Sequence, residues 1–211
     1  MISTLKSIFQ GRRELFKGLA LDGLDYDWKT YPVIHLNMAS TAGDTPEILR
    51  HRILDLLKEV AWELNLKLAD EQDEVLAFKN LILDAYRQHA PVVVLVDEYD
   101  KPLLGHLGQD SAKAIQQLLK SFYGVIKSTE DKLRFALITG VSKFSRVSIF
   151  SDLNNLTDLS MHRESATLLG YTQEELEANF AEYIDAFAEE RGERRERVLE
   201  QRWILRLMPM L

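Results

Sequence analysis

The run Val92-Val93-Val94-Leu95-Val96 constrains this chain more than any other feature. A strand with one wet face alternates apolar and polar residues; an unbroken apolar run means both faces are covered, as in a parallel sheet flanked by helices. Two shorter runs, Pro32 to Met38 and Arg134 to Thr139, have the same character and are expected as neighbouring parallel strands. Between them lie helical signals. Ile2, Leu5, Ile8 and Phe9 share a helical face in a stretch that runs to Phe16 and is interrupted at Gly11. Thr45 and Pro46 read as an N-cap and first helical residue, opening a helix to about Leu66. Further helices are expected over Glu71 to His89, stopped by Pro91, and over Asp110 to Lys127. Leu156 to Met161 reads as one more short strand. Thr172-Gln173-Glu174-Glu175 fits a capping box that opens a helix to about Glu190, and the arginine-rich tail from Arg191 is expected to be helical. Alternation of strands with helices implies right-handed crossovers and a doubly wound α/β sheet. Ligands of such sheets sit at the carboxyl ends of the strands, where the polar residues must be sought.

Composition narrows the classes. The chain has 211 residues and no cysteine, which excludes disulfides and thiolate metal sites. Its five histidines are far apart, without the paired spacing of a zinc site. A net charge of −7 does not indicate nucleic-acid binding. The first residues lack the apolar core of a signal peptide, and the apolar runs are far shorter than the roughly 20 residues a bilayer span needs. A cytoplasmic protein without a membrane partner is the expectation.

The central run ends directly in Asp97-Glu98. Two acids where a buried strand emerges are costly unless something positive meets them. P-loop NTPases use this arrangement, the first acid for magnesium and the next for the attacking water. The alternative is that the acids cap the following turn or pair with Lys101. Thr139, at the tip of the Ile138-Thr139-Gly140 strand end, is one crossover helix away and is a candidate contact to a γ-phosphate or to that water. Lys143 and Arg146 are candidate cations for phosphate charge; Asp100, Lys101 and Asp152 stay ambiguous. No Gly-x-x-x-x-Gly-Lys-[Ser/Thr] loop occurs in the chain, so the phosphate half of such a site is not visible. Glu130-Asp131-Lys132 has a nuclease-like spacing, but it lies at a helix-to-strand turn without a partner acid strand and is set aside.

Val94-Leu95-Val96-Asp97-Glu98-Tyr99-Asp100-Lys101-Pro102-Leu103 resembles the Walker B segment of the AAA-ATPase-like family. Leu137 to Ser145, continuing through Val147 to Leu156 with Ser151-Asp152-Leu153-Asn154-Asn155, resembles the same family. So do Phe16-Lys17-Gly18-Leu19, Tyr31 to Leu36 and Leu169-Gly170-Tyr171-Thr172. The resemblance runs to about Glu190. It implies a P-loop ATPase domain, often fused to a C-terminal PD-(D/E)XK nuclease-like domain. Asp97 would be the magnesium acid, Glu98 the water-activating acid and Thr139 the sensor, with ATP and Mg2+ as cofactors.

The resemblance also implies departures. Relatives begin with a strand and phosphate loop ahead of the helix at Ile2, so the chain is expected to be truncated at both ends, without the nuclease-like domain. The expected fold is therefore a mostly parallel sheet of the P-loop NTPase type lacking its first strand and phosphate loop. Residues 1–165 would form a partial α/β domain and residues 166–211 a C-terminal helical segment, divergent after about 191. The missing strand would belong beside the sensor strand, leaving an open edge for a protein partner or self-association. With no strand before it, nothing is expected to hold the N-terminus of the first helix over the sheet. Two functions compete: part of an ATP hydrolysis site, inactive alone, or a non-catalytic interaction module that keeps the fold.

Overall fold

The computed structural model describes residues 1–41, 43, 45–68, 72–89, 91–141, 149–150, 153–160, 162, 165, 168 and 172–200. The chain divides into two compact units, Met1–Leu156 and Thr157–Leu211.

In the first unit the three unalternating runs become strands: β1 (Val33–Asn37), β2 (Val92–Asp97) and β3 (Leu133–Ile138). They form one parallel sheet in the order β1-β2-β3. Val33 lies opposite Val93 and Asn37 opposite Asp97; on the other side Val93 meets Phe135 and Val96 meets Ile138. The register slips between Val92, opposite Leu133, and Val93, so Arg134 is the extra residue. Its guanidinium rests 5.7 Å from the Tyr31 ring centre.

Both faces are covered, as the unbroken apolar runs require. One face sends Ile34, Leu36, Val92, Val94 and Val96 into a core shared with α2 (Pro46–Glu63), α3 (Glu74–Gln88) and α5 (Ala112–Ser128). Leu49, Ile53 and Leu57 of α2 and Ile115, Leu119 and Phe122 of α5 are fully buried there, and Phe78 stacks on Phe122 at 4.8 Å. A short helix, α4 (Lys101–Leu104), joins β2 to the segment before α5. The other face packs Val33, Val93 and Leu95 against Ile2 and Phe9 of α1 (Ile2–Phe9).

The helix starts follow capping chemistry. The Thr45 hydroxyl accepts the Ile48 N–H with Pro46 in the first turn, and the Asp73 carboxylate accepts from Val75 and Leu76. α1 ends earlier than its apolar spacing suggests. Gly11 adopts a φ of +70°, and a Cβ there would lie 2.7 Å from the Trp28 carbonyl oxygen. The residues beyond it, Arg13–Phe16, form only a 3-10 turn.

From Gln173 on, the described part of the second unit is helical: α6 (Gln173–Asn179), α7 (Ala181–Arg191) and α8 (Arg195–Glu200). Thr172 and Glu175 make the expected capping box. The expected single helix to Glu190 is broken at Phe180, and the break lets Leu176, Ile184 and Ala188 converge on Val198 in one small core. The strand expected from Leu156 is not formed in its described residues, 156–160. Local bonds win there: Ser160 N–H donates to the Asp158 carboxylate at 3.0 Å and His162 N–H to the Leu159 carbonyl at 3.1 Å.

Candidate functional site

Parallel pairing carries β2 and β3 to the same edge of the sheet, so the residues after them must meet. Asp97 ends β2. The Thr139 N–H donates to the Val96 carbonyl at 2.8 Å, extending the ladder one residue past β3. That places the Thr139 hydroxyl against Asp97, and it donates to Oδ1. Glu98 has a φ of +51°, a left-handed conformation that costs a non-glycine residue on the order of 1 kcal/mol or more. The turn aims the Glu98 N–H back at the same Asp97 oxygen, at 3.1 Å. Among the described residues Oδ1 thus accepts two hydrogen bonds, while no hydrogen bond reaches Oδ2. The three acid and hydroxyl residues picked from the sequence, Asp97, Glu98 and Thr139, form one cluster although 42 positions separate Asp97 from Thr139.

Residues 1–150 match the model of the AAA-ATPase-like family, described as a predicted AAA-ATPase. The chain belongs to the AAA-ATPase-like family. A relative from Azotobacter chroococcum mcd 1, described as an uncharacterized protein in the vnfD 5′ region, is 37% identical over 183 residues, or 85% of this chain and 35% of the relative. The chain thus spans about a third of that relative's length. No solved structure matches it.

In this AAA-ATPase-like chain the alternative reading of the acids is met in part. Lys101 Nζ stands 3.9 Å from Glu98 Oε2, with both side chains partly exposed. An ion pair so hydrated and so long holds little, on the order of 0.5 kcal/mol. Lys143 and Arg146, the candidate cations, lie outside the described residues, as do Ser142 and Asp152.

The position of α1 corrects the expectation that nothing holds its N-terminus over the sheet. Tyr31 N–H donates to the Phe9 carbonyl at 2.8 Å, so the C-terminal end of α1 sits just ahead of β1. At the other end of α1, Ile2 packs into the same core as Val93 and Leu95. α1 therefore runs antiparallel to the strands, and its start points toward the edge that carries Asp97. Ile2 and Phe9, both buried, fasten it there. Met1 offers no side-chain cap, and among the described residues no side chain caps the first N–H groups of α1.

At this edge Asp100, ambiguous in the sequence, finds its place, and Tyr123 and His106 join it without having been singled out. Asp100 is fully buried, and its Oδ1 accepts the Val141 N–H at 3.2 Å. Buried Tyr123 of α5 donates its hydroxyl to the Tyr99 carbonyl at 3.0 Å. Burial, with the Asp100 charge nearby, pushes that phenol well above its ordinary value, so it stays a neutral donor. His106 is buried and donates from Nε2 to the Gly43 carbonyl at 2.7 Å while Nδ1 meets the Ser111 hydroxyl at 3.0 Å. It ties the segment after β1 to the segment after β2. A tyrosine on the apolar face of α5 reads as core, and a lone histidine in a loop carries no periodic signal, so neither Tyr123 nor His106 could be found that way.

Proposed function

We propose that this chain contributes the metal and water side of an ATP hydrolysis site of the P-loop type. The observation that carries the reading is the Thr139 hydroxyl bonded to Asp97 across adjacent parallel strand tips, with Glu98 turned out beside them. Membership of the AAA-ATPase-like family supports it.

Asp97 fits a magnesium role. Magnesium takes few protein ligands, usually one or two carboxylates with waters and substrate phosphates completing the octahedron. Among the described residues no group of three or more His, Asp or Glu could hold a metal alone, and a lone carboxylate with one oxygen to spare suits an ion that arrives with a triphosphate. Bound there, Mg2+ would offset phosphate charge. Glu98 is the base that takes a proton from, or orients, the water, and Thr139 fixes the carboxylate and reads the outer phosphate. The first N–H groups of α1 point to the same edge, the direction from which helix starts bind phosphate. Because no phosphate loop occurs in the sequence, positioning of the triphosphate is incomplete and turnover by this chain alone is expected to be negligible.

Titration with a fluorescent ATP analogue and magnesium, alongside phosphate release, tests this. Binding is expected to be weak and to weaken further in Asp97→Asn. In a version carrying a phosphate loop, Glu98→Gln should keep binding and nearly abolish hydrolysis. Hydrolysis by that version at an undiminished rate with Glu98→Gln removes the base assignment.

A second reading, a non-catalytic interaction module, is favoured by the edge of β3. Its apolar residues Phe135 to Ile138 are partly exposed, and among the described residues no strand pairs with its outer side. Such an edge pairs readily, here with a second copy of the chain. Sedimentation should show concentration-dependent dimers that Leu137→Lys removes. A wild-type chain that stays monomeric throughout discards the reading.

A further inference from the structure

The exit of β3 is held by more than its ladder. Thr139 N–H donates to Val96 O at 2.8 Å, and Thr139 O accepts the Tyr99 N–H at 3.0 Å. The peptide groups on both sides of Thr139 are therefore fixed to the turn after β2. One residue further, the Val141 N–H donates to Asp100 Oδ1 at 3.2 Å. Val141 is 82% exposed, so packing of its side chain does not bring the residue in. The carboxylate does, and a fully buried carboxylate is costly unless such donors meet it.

Gly140 makes the approach feasible. A Cβ there would stand 2.4 Å from the Tyr99 ring and 2.7 Å from Asp100 Oδ1. Tyr99 has little room to yield, because Tyr123 bonds its carbonyl and the Phe150 ring lies 4.7 Å from its own.

We infer that Asp100 is a positioning residue: a buried clasp on Val141, possible only across Gly140, that fixes the chain around Thr139 so that its hydroxyl stays on Asp97. The clasp stands on local geometry; its consequence for metal binding rests on the reading of Asp97 as the magnesium acid.

Amide hydrogen exchange in the full chain, read by NMR, tests the clasp, and paramagnetic broadening by Mn2+ tests the consequence. Asp100→Ala removes the acceptor and should speed exchange at Val141 and Thr139 about tenfold, the loss of one buried hydrogen bond, with Leu36 unchanged. Asp100→Asn keeps an acceptor oxygen and should restore most of the protection. Broadening of the Asp97, Glu98 and Thr139 signals should need several-fold more Mn2+ in Asp100→Ala than in Asp100→Asn. Unchanged exchange at Thr139 in Asp100→Ala, or an Asn variant no better than Ala, overturns the clasp. If Asp100→Ala does not fold, Val141→Pro removes the donor from an exposed residue, and the same loosening at Thr139 is expected; its absence overturns the proposal. If Asp97→Asn leaves Mn2+ broadening unaltered, the metal reading fails, and the exchange data still decide the clasp.

Discussion

β1 and β3 flank the same central strand, and both carry apolar residues meant for two covered faces. Ile34 and Leu36 of β1 are 0% exposed. Every residue from Phe135 to Ile138 of β3 keeps partial exposure. Both faces of β3 do meet apolar cores, Phe135 and Leu137 on the α1 face and Ala136 and Ile138 on the opposite one. On β1 the cover is closer: α2 packs over it with Leu49, Ile53 and Leu57 all at 0%. Neither β1 nor β3 has a strand partner on its outer side among the described residues, so the edge alone does not separate them. Two edge strands of like composition thus differ in burial through how closely the neighbouring helices cover them, and Thr139 follows the less covered one.

The largest expected effect tests that contrast directly. Leu36→Ala should destabilise by about 2–5 kcal/mol, the range for a closed core site. Leu137→Ala should cost less than half as much, because the side chain is already partly hydrated and its loss leaves an open surface rather than a cavity. Urea denaturation of both variants measures this; equal losses would break the comparison.

A smaller effect concerns the roof of β1. Thr45→Ala removes the acceptor for Ile48 N–H at the start of α2 and should cost about 1 kcal/mol. If Thr45→Ala shifts the unfolding midpoint no more than an exposed substitution such as Lys113→Ala, the cap is not what seats the roof.

The smallest effect is a pH dependence on the α1 side of β1. Burial pushes the His35 imidazole below its ordinary value of 6.5, helped by Lys6 and opposed by Asp97 and Glu63, and among the described residues its buried Nε2 has no partner. The folded chain then binds a proton less readily than the unfolded one, so stability falls as pH drops below about 6.5. Midpoints at pH 7.5 and 5.5 should converge in His35→Gln relative to wild type. An identical acid loss in both proteins assigns the titration elsewhere.

How much was legible depended on whether a signal was periodic or chemical and local. The run at Val92, the Thr45-Pro46 start and the Thr172 capping box each act within a few residues, and each formed. Apolar spacing overran at Gly11 and at Phe180, where the backbone turns to serve contacts with Trp28 and Val198. The run from Leu156 failed as a strand because Asp158 and Ser160 bond to each other's segment instead. The acid site was legible as residue types, Asp97, Glu98 and Thr139. Its geometry was not: the positive φ of Glu98 and the shared oxygen of Asp97 depend on two strand tips brought side by side.

The sequence by itself determined that three unalternating apolar runs would be covered on both faces, and that the acids would stand at a strand end. Those follow from side-chain solvation and backbone sterics, which act locally. Only the tertiary structure decided that α1 lies antiparallel over the sheet, that Asp100 is buried with its oxygen on Val141, and that β3 keeps a half-covered edge. Such outcomes depend on which groups are brought within hydrogen-bond reach across tens of residues, and no local propensity encodes that distance.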